Sequence, residues 1–131
     1  MNKYIALIGS KTFKDYKTLK ELVEAVLNKY FIEEPHFVSG GEKGADTLGH
    51  NFAKNEGYPI TIYYPSYSAS RRAAPIIRNE NIVISSDIII AFWDGESAGT
   101  KNAINIAKQY PQKVVIIYNY IEEKIKKIGV E

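Results

Sequence analysis

Three glycines fall within five residues in VSGGEKGADTLG (Val38–Gly49): Gly40, Gly41 and Gly44. They follow an apolar run and precede a helical pattern, although each glycine costs roughly 0.5–1 kcal/mol against alanine inside a regular element. The N-terminus of a helix offers free N–H groups and a partial positive charge, and glycines let an anion reach them. The chemistry this allows is phosphate contact; the alternative is a tight turn and nothing more. Asp46 suits the helix dipole but would repel a phosphate aimed straight at it. Its roles are to accept from a ribose hydroxyl, to tie down a neighbouring loop, or to cap the helix.

A second junction, DGESAGTKNA, repeats the arrangement with Gly95, Ser97, Gly99 and Thr100. Backbone room and two hydroxyls at a second helix start would make a cleft lined with donors. Asp94, at the end of the preceding strand, can bond a sugar or base edge or act as a cap. The chain has fourteen lysines and three arginines, and Arg71, Arg72 and Arg78 all lie in one connection. The planar guanidinium fork is suited to bidentate phosphate recognition. Arg78 is the first choice, because Asn79 beside it adds amide donors and acceptors at a helix start. Of the aromatics near these loops (Phe13, Tyr63, Tyr64, Tyr67 and Trp93), one or two could stack on a base, with packing favoured for Tyr63 and Trp93. His36 and His50 have no ligand-spaced partner, so no metal site is expected.

These residues need strands and helices to hold them. YIALIG (4–9), HFVSG (36–40), ITIYY (60–64), DIIIAFW (87–93) and KVVIIY (113–118) are continuous apolar runs, the pattern of parallel strands covered on both faces. Between them Tyr16, Leu19, Leu22, Val23, Val26, Leu27 and Tyr30 form one helical stripe. Ala45, Leu48, Phe52 and Ala53 form a second, residues 75–84 a third, and Ile104 and Ala107 belong to a fourth. A last helix spaces Ile121, Ile125 and Ile128. Strands alternating with helices predict βαβ units, a mainly parallel five-stranded sheet and an open three-layer αβα sandwich. In such sheets ligands bind beyond the carboxyl ends of the strands, where strand order reverses. The four segments leaving those ends hold the glycine, serine and arginine clusters.

At 131 residues the chain is expected to be one domain, 1–131, able to bury a core without staples. With no cysteine it has no disulfide, thiolate metal site or thiol nucleophile. No apolar run approaches the roughly 18 residues needed to span a bilayer, and the opening MNKYIALIGSK is short for a signal peptide. A cytoplasmic protein with no membrane partner is expected. A net charge of +2 gives no bulk attraction for polyanions, so nucleic acid is not the expected partner.

GSKTF, VSGGEKGAD, RNENI and AFWDGESAGT occur in that order near the strand ends. As an ordered set they resemble the motifs of the SLOG superfamily, which includes the LOG phosphoribohydrolases and the DNA-processing protein DprA, and most of all its small YspA, YpsA-related branch. The resemblance covers residues 3 to 118. It implies a Rossmann-like domain that binds a nucleotide or nucleotide-derived ligand of the AMP or ADP-ribose kind, as sensor or sequestering protein, with no separate cofactor. It places Gly40, Gly41, Gly44, Gly95, Gly99 and Thr100 around the phosphate; with the loop residues Gly9, Ser10, Lys11, Ser39, Ala45, Asp46, Arg78, Asn79, Asp94 and Ser97 these make up the expected ligand contacts. Many relatives are dimers or larger, so a homodimer or higher homo-oligomer is consistent with it.

LOG-type hydrolases carry an Arg in R-K-x-x-M and a Glu three residues after the Thr of G-G-x-G-T. Arg78 matches the first, with Asn79 in place of the Lys, but the position of the Glu is Ala103. N-glycosidic cleavage passes through an oxocarbenium-like state that needs a negative charge and a base for the water. Arg78 and Asp94 are the catalytic candidates if the chain is an enzyme, with Glu96 or Glu80 as other carboxylates. Binding without turnover is therefore the first expectation, hydrolysis of a nucleoside monophosphate the second and DprA-like nucleic-acid binding the third.

Overall fold

The computed structural model describes residues 2–67 and 71–127. In chain order the elements are β1 (Asn2–Gly9), α1 (Tyr16–Lys29), β2 (Glu34–Ser39), α2 (Ala45–Glu56), β3 (Ile60–Ile62), α3 (Ala73–Ser85), β4 (Ile88–Trp93), α4 (Ala98–Lys108), β5 (Val114–Asn119) and α5 (Tyr120–Lys127). The strands form one sheet, every pairing parallel, in the order β3-β2-β1-β4-β5. This is a three-layer, Rossmann-like α/β sandwich.

Alternation along the central strands divides the core in two, because successive side chains leave a strand on opposite faces. Ile5 and Leu7 of β1 and Ile88, Ile90 and Phe92 of β4 meet Leu19, Val23, Val26 and Leu27 of α1 and Phe52 and Ala53 of α2. Ala6, Ile8, Ile89 and Ala91 meet Ile82 and Val83 of α3 and Ala103, Ile104 and Ala107 of α4. Tyr120 of α5 packs on the first face. Chain order thus runs outward from β1 to β3 beneath α1 and α2, then crosses back to β4 over the other face. Between β1 and β4 the connections diverge to opposite faces, and a crevice opens at their carboxyl ends.

Local chemistry accounts for the departures from the sequence pattern. β3 stops at Ile62, short of the expected Tyr64, because Tyr64 is exposed and Pro65 follows. α3 starts at Ala73, two residues before Pro75, since a proline is tolerated throughout the first turn, where its missing N–H has no intrahelical partner. Arg78 and Asn79 therefore lie in the middle of α3, not at a helix start. Of the isoleucines assigned to the last helix, Ile121 is exposed, and Ile128 lies outside the described residues. No helix among the described residues is long and apolar enough to cross a membrane.

Candidate functional site

At the β1/β4 crevice lies a cleft of about 460 Å³, walled by the β1–α1 loop, the β2–α2 loop, α3 and the start of α4. Of the residues singled out in the sequence, Gly9, Ser10, Lys11, Asp46, Arg78, Asn79, Ser97, Gly99 and Thr100 line it. Ser39, Gly40, Gly41, Gly44, Ala45, Asp94 and Gly95 do not form its lining.

The two glycine-rich junctions are not equivalent. At the first, the start of α2 is closed by the protein itself: Ala45 N–H donates to the Ser10 carbonyl at 3.2 Å. A Cβ on Gly44, whose φ is +76°, would lie 2.4 Å from that oxygen and 2.5 Å from the Lys11 carbonyl oxygen. A Cβ on Gly40 would lie 2.7 Å from Arg78 Nη1 and 2.9 Å from Asp46 Oδ2. The close approach that makes these two residues glycine is therefore that of the chain's own backbone and buried side chains.

At the second junction α4 begins with no side-chain cap. Ala98, Gly99 and Thr100, its first three residues, line the cleft. The N–H groups of a first helical turn have no intrahelical acceptor, and the residues that carry those of α4 are in the cleft wall. Asp94 works just upstream. Its Oδ1 accepts from Glu96 N–H and Ser97 N–H at 2.9 and 2.7 Å, and its Oδ2 accepts from the Ser97 hydroxyl at 2.7 Å. Slight desolvation raises its pKa, but these hydrogen bonds prevail and hold the carboxyl below its ordinary value. Asp94 fixes the turn that presents α4.

Arg78 is almost fully buried, whereas Arg71 and Arg72 are exposed, so the arginine cluster of the sequence does not converge on one point. The Arg78 guanidinium donates from Nη1 to the Gly40 carbonyl at 2.7 Å, from Nε to Asn79 Oδ1 at 3.0 Å and from Nη2 to Glu42 Oε1 at 3.3 Å. Asn79 in turn donates to Asn102 Oδ1 at 2.9 Å and to the Gly99 carbonyl at 3.3 Å. One residue thus aligns Arg78 and couples α3 to the first turn of α4.

Asp46, 4 % exposed, accepts at Oδ2 from Gly40 N–H and Glu42 N–H, both at 3.2 Å. It ties down its own β2–α2 loop rather than the β1–α1 loop. Burial pushes its pKa up to about 6, against the opposing pull of those hydrogen bonds and of Arg78. Ser39 bonds the Leu7 carbonyl at 2.8 Å beneath the site, and Ser10 Oγ accepts from Asp94 N–H at 3.1 Å.

Glu42, Thr12 and Tyr67 also line the cleft, and the sequence reading passed over the first two as site residues. Glu42 is the consequential one, a charged residue in a loop read for its glycines. Tyr67 is the aromatic that reaches the cleft; Phe13 is buried in the core, Tyr63 bonds Ser85 and Trp93 bonds the Ser97 carbonyl. Ala103, at the position of the LOG-type Glu, lines the cleft and is 2 % exposed. The carboxylates lining the cleft are Glu42 and Asp46; Asp94, Glu96 and Glu80 lie outside its lining.

A solved X-ray structure of TM1055, a structural genomics target, is similar to this chain over 98 % of both chains, with a TM-score of 0.59 and 13 % sequence identity. That likeness is one of fold. No protein-family model and no curated protein matches the chain.

Proposed function

We propose that this chain is a single SLOG-type domain that binds a small phosphorylated nucleoside compound of the AMP or ADP-ribose kind without turning it over. The observation that carries the reading is the pairing, in one cleft, of the uncapped start of α4 with the buried guanidinium of Arg78. A phosphate set against the first turn of α4 would take N–H donors from the backbone and the Thr100 hydroxyl, in the favourable field of the helix. Arg78 would add a charge-assisted contact. Hydroxyl-accepting carboxylates and the exposed ring of Tyr67 suit a ribose and a base, and the cleft volume lies within the range of small-molecule sites. The order of the four sequence motifs around this cleft supports the SLOG assignment.

Calorimetric titration with AMP, ADP-ribose and NAD tests the proposal, read beside chromatography for released base. Saturable heat with the ligand intact is expected, and it is lost in Arg78→Ala. No heat from any of the three would overturn the reading.

One observation favours a second reading. Asp46 is a cleft carboxyl whose pKa near 6 suits proton transfer at neutral pH. Should free base accumulate with time and stop accumulating in Asp46→Asn, the chain is an N-glycosidic hydrolase that uses a different carboxylate from the LOG enzymes.

A further inference from the structure

Glu42 holds a position that the proposed ligand would need. Its Oε1 accepts from Arg78 Nη2 at 3.3 Å, and its Oε2 lies 3.7 Å from Lys11 Nζ. One carboxylate thus spans two cations carried by different segments, Lys11 on the β1–α1 loop and Arg78 on α3, and all three residues line the cleft. Arg78's remaining hydrogen bonds go to neutral acceptors, the Gly40 carbonyl and Asn79 Oδ1. Glu42 is its ion-pair partner among the described residues, with the buried Asp46 carboxyl also within Coulombic reach.

The two ends of Glu42 differ in how firmly they are held. Its N–H donates to the buried Asp46, and its carbonyl accepts from the Thr47 hydroxyl at 2.8 Å, which fixes the backbone. The carboxylate is one-third exposed and Lys11 is 72 % exposed, so both reach solvent, where an ion pair of this length is weak. Rotation of one side chain would release both cations while the loop stays in place.

We infer that the Glu42 carboxylate is an internal substitute for the anionic group of the ligand, holding Lys11 and Arg78 in position until an incoming phosphate displaces it. The inference rests on the reading that this cleft takes an anion. A phosphate oxygen meets the geometric requirement that Glu42 meets now, with an acceptor toward each cation. The exchange leaves Arg78 paired throughout, which matters for a guanidinium so deeply buried. It also makes Glu42 a brake on affinity, because every anion that binds must first break the pair.

The variant Glu42→Gln keeps the side-chain length and the backbone contacts while removing the charge. AMP and uncharged adenosine are titrated calorimetrically into the wild type, Glu42→Gln and Arg78→Ala. Glu42→Gln is expected to bind AMP about two- to fivefold more tightly, the scale of a solvent-reaching ion pair that no longer has to be broken. Adenosine, which has no anion to compete, is expected to bind both proteins alike. AMP binding by Glu42→Gln alone, in a protein whose wild type still binds ADP-ribose or NAD, would also support the inference, as a case of occlusion against AMP. Wild-type binding that is lost in Arg78→Ala but unchanged or weakened in Glu42→Gln overturns the role of Glu42 and leaves the proposed function standing. A parallel gain for adenosine overturns it too, since the effect would then be one of cleft shape. Absence of AMP binding in both wild type and Glu42→Gln overturns the role of Glu42 and removes AMP from the proposed ligands.

Discussion

Arg78 Nη1 lies 2.7 Å from the carbonyl oxygen of Gly40, and this hydrogen bond joins α3 to the β2–α2 loop across 38 positions of sequence. The side chain that would meet a ligand therefore also clamps the scaffold. Arg78→Ala strips a buried carbonyl of its donor and leaves Glu42 without its guanidinium. Hydrogen bonds to charged groups contribute about 1.5–3 kcal/mol, so a destabilisation of about 2 kcal/mol is expected in urea unfolding. Arg78→Lys, which keeps a charge but loses the fork, is expected to fall between the two. An unfolding midpoint unchanged in Arg78→Ala would show that the clamp contributes nothing.

Asp46 gives stability an unusual dependence on pH. Its folded-state pKa, near 6, exceeds the ordinary 3.8 because the carboxyl is buried. The folded protein therefore holds this proton more tightly than the unfolded chain. The associated stabilisation is fully present below pH 3.8 and is lost as pH rises through 6, a total of about 3 kcal/mol for two pKa units. Asp46→Asn can still accept from Gly40 and Glu42 without burying a charge. The difference in melting temperature, variant minus wild type, is expected to grow between pH 4 and 7 and then level off in favour of the variant. Parallel curves for the two proteins would refute this account of Asp46.

Gly44 and Gly57 share a φ of +76°, but Gly57 is left-handed helical with ψ of 24°, whereas Gly44 has ψ of −125°, a conformation still less open to other residues. At Gly57 a Cβ would meet nothing within 4 Å, so Gly57→Ala incurs only the left-handed backbone conformation, about 1–2 kcal/mol. At Gly44 the same Cβ would collide with the Ser10 and Lys11 carbonyls. Gly44→Ala is expected to cost at least about 2 kcal/mol more, as the β1–α1 loop is pushed off the start of α2. Equal losses in the two variants, measured by chemical denaturation, would mean that both the loop and the Gly44 backbone relax freely.

The five strands were legible because each is a continuous apolar run, and a sheet covered on both faces requires such runs. The loops that wall the cleft were legible for a related reason: polar and glycine-rich segments must leave the carboxyl ends of those strands. What the sequence conceals is nonlocal. Glu42 reads as a solvated residue between glycines until α3 brings Arg78 to it from 36 positions away. The glycine at position 44 suggests a ligand when read alone, and only the packed structure shows that the neighbouring carbonyls belong to Ser10 and Lys11. A proline in the first helical turn tempts one to begin the helix there, and that places Arg78 too near its start.

The charges around the cleft cancel. Lys11 and Arg78 are opposed by Glu42 and, above pH 6, by Asp46. Two positive and two negative groups within one small volume leave little net field even within one Debye length of the mouth. If the cleft takes the ligand proposed above, its lining adds no net pull, and an association rate that changes little with ionic strength is expected. Selection among candidate ligands would then fall to contacts made after arrival and be expressed in residence time rather than in capture.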